Sequence, residues 1–200
     1  MFSGIVEAQT QILSTQSEEN ANSKTIRIFV NKPVSFDDLK KGDSICTNGV
    51  CLTIEDYNQD HIQFCLGAET LSVLGDSFSQ WNQYPLNLER SMKLGDRIHG
   101  HLVTGHVDGL GKVTGSYQDG ECWQIIIQIS TDIKKFFWKK GSICLNGVSL
   151  TVNDVQDDLV AVCLIPETIT MTNLAKIPVG SYMNVESDYL AKAYFQLKVK

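Results

Sequence analysis

Ser44-Ile-Cys-Thr-Asn-Gly-Val-Cys-Leu-Thr53 returns 98 positions later as Ser142-Ile-Cys-Leu-Asn-Gly-Val-Ser-Leu-Thr151. The same displacement carries Cys65-Leu66-Gly67-Ala68-Glu69-Thr70 onto Cys163-Leu164-Ile165-Pro166-Glu167-Thr168 without a gap, and about half the positions between 44 and 72 match their partners. Ser3-Gly4-Ile5-Val6-Glu7 pairs with Thr104-Gly105-His106-Val107-Asp108 at a slightly different displacement, as a changed loop length produces. The chain is two copies of one unit, and that period sets the architecture before any single motif is read.

Each copy carries strand signals. Thr25 to Val30 and Trp123 to Ile129 are rich in β-branched residues, and polar turns at Asn58-Gln59-Asp60 and Gln156-Asp157-Asp158 separate short apolar runs. Short strands at this spacing predict a small barrel or sandwich. Ser35 to Gly42 predicts one short helix, with Ser35 as N-cap and Gly42 past its end, and Thr131 to Gly141 predicts its counterpart. After Glu186 the tail spaces Tyr189, Ala193 and Leu197 at helical intervals and has no twin in the first copy, which suits an element serving the whole molecule in assembly.

Composition excludes more than it selects. A chain of 200 residues accommodates one large domain or two of about 100. A net charge of −6 argues against a nucleic-acid backbone as partner. The start Met-Phe-Ser-Gly-Ile-Val-Glu has no basic region, and apolar stretches such as Ile125 to Ile127 are too short to span a bilayer, so no membrane is expected and a cytoplasmic, soluble protein is. Six cysteines, with no CxxC pair and most within β-branched runs, read as reduced core thiols.

In a repeated unit the informative positions are those where the copies differ. Cys51 stands where the second copy has Ser149, giving one barrel a soft thiol and the other a hydroxyl. Thr53 and Thr151 lie two residues on, so each polar pair shares one face of its strand and wants partners a ligand could supply. The alternative is that Cys51 and Ser149 are small residues facing the core. Gly100-His-Leu-Val-Thr-Gly-His-Val-Asp-Gly109 brings His101 and His106 together with glycines that allow close backbone approach, although loop carbonyls would cap the same histidines. Their odd spacing sends them to opposite faces of a strand, so no metal pair is expected. Glu69-Thr70 and Glu167-Thr168 place a carboxylate at a strand end, fitted either to ligand N–H groups or to a solvated turn. No phosphate-cradling loop or nucleophile elbow is present in the sequence.

Met1-Phe2-Ser3-Gly4-Ile5-Val6, Asn48-Gly-Val-Cys-Leu-Thr53, Gly100 to Gly109, Asn146-Gly-Val-Ser-Leu-Thr151 and Leu164-Ile-Pro-Glu-Thr168 together resemble the riboflavin synthase family, in its order and over nearly the whole chain. The resemblance implies an all-β fold of two tandem homologous Greek-key β-barrels with short helices and a C-terminal helix, divided as 1–91, 92–187 and 188–200. It implies a homotrimer in which the N-terminal barrel of one subunit meets the C-terminal barrel of the next, and leaves open an assembly with lumazine synthase. The implied reaction converts two 6,7-dimethyl-8-ribityllumazine molecules into riboflavin and 5-amino-6-ribitylaminouracil by four-carbon transfer, with no cofactor and no metal.

Carried over by position, the resemblance gives the N-terminal barrel a substrate site of Phe2, Ser3, Gly4, Ile5, Val6, Asn48, Cys51, Leu52, Thr53, Cys65, Leu66, Gly67, Ala68, Glu69 and Thr70. The C-terminal barrel receives His101, Thr104, Gly105, His106, Val107, Lys140, Asn146, Ser149, Leu150, Thr151, Cys163, Leu164, Ile165, Pro166, Glu167 and Thr168. Cys51, His106, Ser149, Thr151 and Asp188 are the implied chemical groups, with His106 as proton shuttle, Cys51 and Ser149 beside the reacting rings, and Asp188 matching an acidic position of the family. His99 replaces a usual glycine, and Ser3 a commoner threonine that keeps the hydroxyl. Non-catalytic lumazine-binding antenna proteins share the family's fold but tend to lose the Gly-His-Leu-Val-Thr-Gly-His segment, which is intact here.

Overall fold

Side-chain alternation along short strands builds both halves of the molecule. In the computed structural model, which describes residues 1–20 and 23–198, the first half runs β1 (Ala8–Thr10), β2 (Ile12–Asn20), β3 (Ser23–Asn31), β4 (Ser44–Thr47), β5 (Val50–Tyr57), β6 (His61–Leu66), α1 (Ala68–Ser79) and β7 (Leu86–Arg90). The second half runs β8 (Gly109–Asp119), β9 (Cys122–Gln128), α2 (Thr131–Lys134), β10 (Ser142–Leu145), β11 (Val148–Gln156), β12 (Leu159–Leu164), α3 (Pro166–Met171) and β13 (Tyr182–Ser187), followed by α4 (Tyr189–Lys198). The tail expected to be helical ends with Val199 and Lys200, which lie outside the described residues.

Strands β10-β11-β12-β9-β8-β13 form a closed barrel. The chain leaves β9, crosses to β10 and returns through β11 and β12 to lie beside β9, a Greek-key order. β8 closes it by pairing with β13 over its first residues and with β9 over the rest. In the first half the order is β1-β7-β4-β5-β6-β3-β2, with β1 and β2 at the two ends of the sheet and only Gln11 between them in sequence. They do together what β8 does alone, so the two halves share one plan.

Val50, Leu52 and Ile54 fill the first barrel with Ile62, Phe64 and Leu66, while Val148, Leu150 and Val152 fill the second with Val160, Val162 and Leu164. The residues between them, including Cys51, Thr53, Cys65, Ser149, Thr151 and Cys163, fall on the outer faces, as a period of two requires. This corrects the expectation of core thiols. Only Cys46 and Cys144 are buried, and they sit with Phe2 and Val103 in a small cluster apart from the two barrel cores.

The Asn-Gly pairs of the repeat form tight hairpin tips. Asn48 and Gly49 have φ of 50° and 87°, and Asn146 and Gly147 have 46° and 82°, the left-handed pair a two-residue turn needs. The tips abut: a Cβ on Gly49 would lie 2.9 Å from the Gly147 nitrogen, and one on Gly147 3.0 Å from the Gly49 nitrogen. Around them the halves exchange hydrogen bonds reciprocally, Asn87 Nδ2 donating to the Asn146 carbonyl (2.9 Å) and Asn184 Nδ2 to the Asn48 carbonyl (2.8 Å). A local twofold relation between the domains passes through this contact.

Two helical expectations change. Ser35 to Gly42 forms turns instead of a helix. It is fixed by the buried Phe36 and Leu39 and by a Phe36 N–H bond to the Pro33 carbonyl at 3.0 Å. Its counterpart is helical only over Thr131–Lys134. Conversely, helices α1 and α3 begin just after β6 and β12, where the sequence suggested strand ends.

Candidate active site on the outer faces of the barrels

Backbone bonding decides which segments meet. The Cys51 N–H donates to the Gly105 carbonyl at 2.9 Å, and the Ser149 N–H donates to the Gly4 carbonyl at 2.8 Å. Each domain therefore sends its first loop across to the other domain's outer face. Packing agrees, since Val6 belongs to the core of the second barrel and Val107 packs against that of the first. The site assignments carried over by position thus need their loops exchanged: Gly4, Ile5 and Val6 complete the Ser149 face, and Gly105, His106 and Val107 complete the Cys51 face. Sequence adjacency to a domain concealed this crossing.

Glycine is required where the loops touch down. Gly4 and Gly105 both have φ of 76°, and an added Cβ would fall 2.6 Å from the Cβ of Ser149 and of Cys51 respectively. Gly100 is held as closely, because its Cβ would lie 2.6 Å from both the Cβ and Oγ of Ser149.

On the first face, Val50, Cys51, Glu69, Thr70, Val73, Leu74 and the 105–107 loop line a cavity of about 460 Å³. His106 is exposed there. Glu69 and Thr70 occupy the first turn of α1, so the carboxylate stands at a helix start whose first N–H groups are unpaired within the helix. Glu167 and Thr168 take the same place in α3. α1 is the longer of the two and bends at Gly75, whose backbone is non-helical.

On the second face, His101 Nδ1 lies 2.7 Å from Ser149 Oγ. Burial lowers the His101 pKa, against an opposing pull from the Asp188 carboxylate, so the imidazole is neutral near pH 7. Its buried Nε2 has no hydrogen-bond partner among the described residues. Asp188 is half-buried and caps α4, its Oδ1 accepting from the Leu190 N–H at 2.8 Å. Thr151 is exposed on the same outer face as Ser149. Lys140 is also exposed, in a turn with φ of 69°, and its N–H donates to the Val152 carbonyl at 2.8 Å.

Other sequence candidates lie elsewhere. Phe2, Leu52, Leu66, Leu150 and Leu164 are buried. Asn48 and Asn146 are buried between the domains, with their side-chain oxygens occupied: Asn48 Oδ1 accepts from Asn173 Nδ2 and Asn146 Oδ1 from the Asn184 N–H, each at 2.8 Å. His99 lines a cleft of about 820 Å³ beside Arg90, Lys93 and Arg97, which Ser3 and Ile5 also border.

Two residues went unread in the sequence. Glu89 Oε1 accepts from Ser3 N–H (2.7 Å) and Oγ–H (2.9 Å), and its Oε2 from Gly4 N–H (3.0 Å). Glu186 repeats the pattern with Thr104 N–H and Oγ1–H, both 2.7 Å, and Gly105 N–H at 2.9 Å. Burial raises both carboxyl pKa values, opposed by these donors. The signal was a glutamate one residue before the end of the last strand of each copy, outside the stretch of strongest identity.

Comparison with known proteins places this arrangement. Residues 3–91 and 104–188 each match the family described as the lumazine binding domain, so the molecule is a tandem protein of that class. Over 96% of this chain and 95% of the other, it is 36% identical to a riboflavin synthase of Mycobacterium tuberculosis. Riboflavin synthases of Photobacterium phosphoreum (35%, covering 96% of this chain and 86% of the other) and Bacillus subtilis (32%, covering 98% and 89%) are similarly related. The chain belongs to the riboflavin synthase family of enzymes. Its fold is shared with the crystal structure of LumP complexed with riboflavin, at a TM-score of 0.81 and 24% identity over 94% of this chain and 99% of that one.

Proposed function

We propose that this chain joins two molecules of 6,7-dimethyl-8-ribityllumazine, transferring a four-carbon unit from one to the other to release riboflavin and 5-amino-6-ribitylaminouracil, without a cofactor. The observation that carries the reading is the pair of equivalent outer faces, each completed by the other domain's loop, one offering the Cys51 thiol beside His106 and the other the Ser149 hydroxyl bonded to His101. Two like ligands with unlike roles suit two like faces with unlike groups.

The C7 methyl of the lumazine is acidic because its carbanion is delocalised into the ring system, so the protein's work is proton transfer and alignment of two rings. His101, neutral and bonded to the Ser149 hydroxyl, is suited to take or return that proton through Ser149. This shifts the leading role in proton transfer from the exposed His106 to His101. The division into 1–91, 92–187 and 188–200 goes with the reading. So does a homotrimer that brings a Cys51 face of one subunit against a Ser149 face of the next, assembled through α4, which exposes Leu190, Tyr194 and Leu197 along one side. Among the described residues no helix is long and apolar enough to cross a membrane.

Incubation of the purified chain with 6,7-dimethyl-8-ribityllumazine should produce riboflavin absorbance with half a molecule of riboflavin per molecule consumed. Tight binding of the lumazine with no riboflavin would overturn the enzymatic reading in favour of a ligand-binding antenna.

A further inference from the structure

Glu89 and Glu186 are 5% and 1% exposed, and each uses both carboxylate oxygens on one loop. The loop that Glu89 holds, Ser3-Gly4, does not serve Glu89's own barrel: the Gly4 carbonyl accepts from the Ser149 N–H across the domain boundary. The loop that Glu186 holds, Thr104-Gly105, accepts in the same way from the Cys51 N–H. Gly4 and Gly105 have their N–H groups on the carboxylate and their carbonyls on the opposite domain, so the peptide plane on either side of one residue links a buried charge to a distant strand. Gly100 packs against Ser149 as well, which leaves that face little room to adjust if the 3–5 loop moves.

We propose that Glu89 and Glu186 are positioning residues that act crosswise, Glu89 of the first domain setting the Ser149 face of the second and Glu186 of the second setting the Cys51 face of the first. A charged acceptor serving three donors fixes a loop more firmly than neutral bonds do. The inference rests, for its bearing on turnover, on the reading of Ser149 and Cys51 as the two working faces.

Amide hydrogen exchange followed residue by residue on the full chain tests it. Glu89→Gln keeps the side-chain shape but turns one acceptor into a donor facing the Gly4 N–H. It should speed exchange at Gly4 and Ser149 by about tenfold to a hundredfold, the effect of losing a hydrogen bond to a charged group, while Cys51 and Gly105 stay unchanged. Glu186→Gln should do the reverse, loosening Gly105 and Cys51 and sparing Ser149. Ser3→Ala and Thr104→Val, which remove one hydroxyl donor and leave the carboxylate buried, should give the same crossed pattern at smaller amplitude even where the glutamine variants fold poorly. In turnover, Glu89→Gln should be non-additive with Ser149→Ala and additive with Cys51→Ser, and Glu186→Gln the opposite. Uniform acceleration of all amides, or loosening confined to the mutated domain's own face, would overturn the proposal. Absence of riboflavin formation by the unmodified chain would instead remove the functional reading, and the exchange pattern would still decide the crosswise positioning.

Discussion

His101 and Ser149 concentrate the chemistry that single residues carry. Their contact at 2.7 Å holds an imidazole that burial keeps neutral. Because the folded-state pKa lies below the usual value of about 6.5, the unfolded chain takes up the proton first as pH falls. Stability attributable to His101 is therefore intact above about pH 6.5 and lost as pH falls towards and through the folded-state value. Urea unfolding across pH should show the unmodified protein losing stability relative to His101→Asn in that window, and riboflavin formation should decline over the same acid limb. Ser149→Ala should cut turnover by about a hundredfold, the lower range for a group in proton transfer, while moving stability by no more than about 1 kcal/mol. Cys51→Ser should likewise impair turnover more than stability, and parallel losses would point to packing roles for both. The Cys51/Ser149 difference was legible because the flanking Asn-Gly-Val and Leu-Thr are the same in both copies, which isolates the substitution. The His101 contact was not, since no spacing rule relates residue 101 to residue 149.

The elements that position these groups are the loops and hairpins. Gly105→Ala would place a methyl against Cys51 in a backbone region that L-residues avoid, so it should destabilise the protein by about 1–3 kcal/mol and impair turnover, measurable by urea unfolding alongside riboflavin formation. Strand periodicity read the barrels well: Thr25 to Val30 falls within β3, and the turns at 58–60 and 157–158 separate β5 from β6 and β11 from β12. Helices read poorly. Phe36 and Leu39 are spaced as a helix would space them, yet each anchors an irregular turn, with Arg90 stacked 4.7 Å over the Phe36 ring. α1 escaped notice because its span diverges from the second copy, where α3 ends at Met171. The exchange of loops was illegible for a different reason: sequence similarity shows which segments correspond, and not which domain each one lands on.

At the scale of the whole molecule, α4 packs on the second domain through the buried Ala191, the Phe195–Phe136 ring pair and Lys192, whose ammonium lies 3.0 Å from Asp108. That leaves Leu190, Tyr194 and Leu197 facing away. If α4 assembles the proposed trimer, Leu190→Glu combined with Tyr194→Glu should give monomers by light scattering and abolish turnover at dilute concentration, while each chain keeps its fold by circular dichroism. The reciprocal loops carry a further consequence for how such a molecule comes to have two kinds of site. A single repeat cannot finish its own face, so on its own it could be completed only by an identical copy, and the two resulting faces would be bound to remain the same. Any change at one would be a change at both. Placing the repeats in tandem on one polypeptide lifts that constraint of symmetry, and position 51 becomes free to keep a thiol while position 149 keeps a hydroxyl.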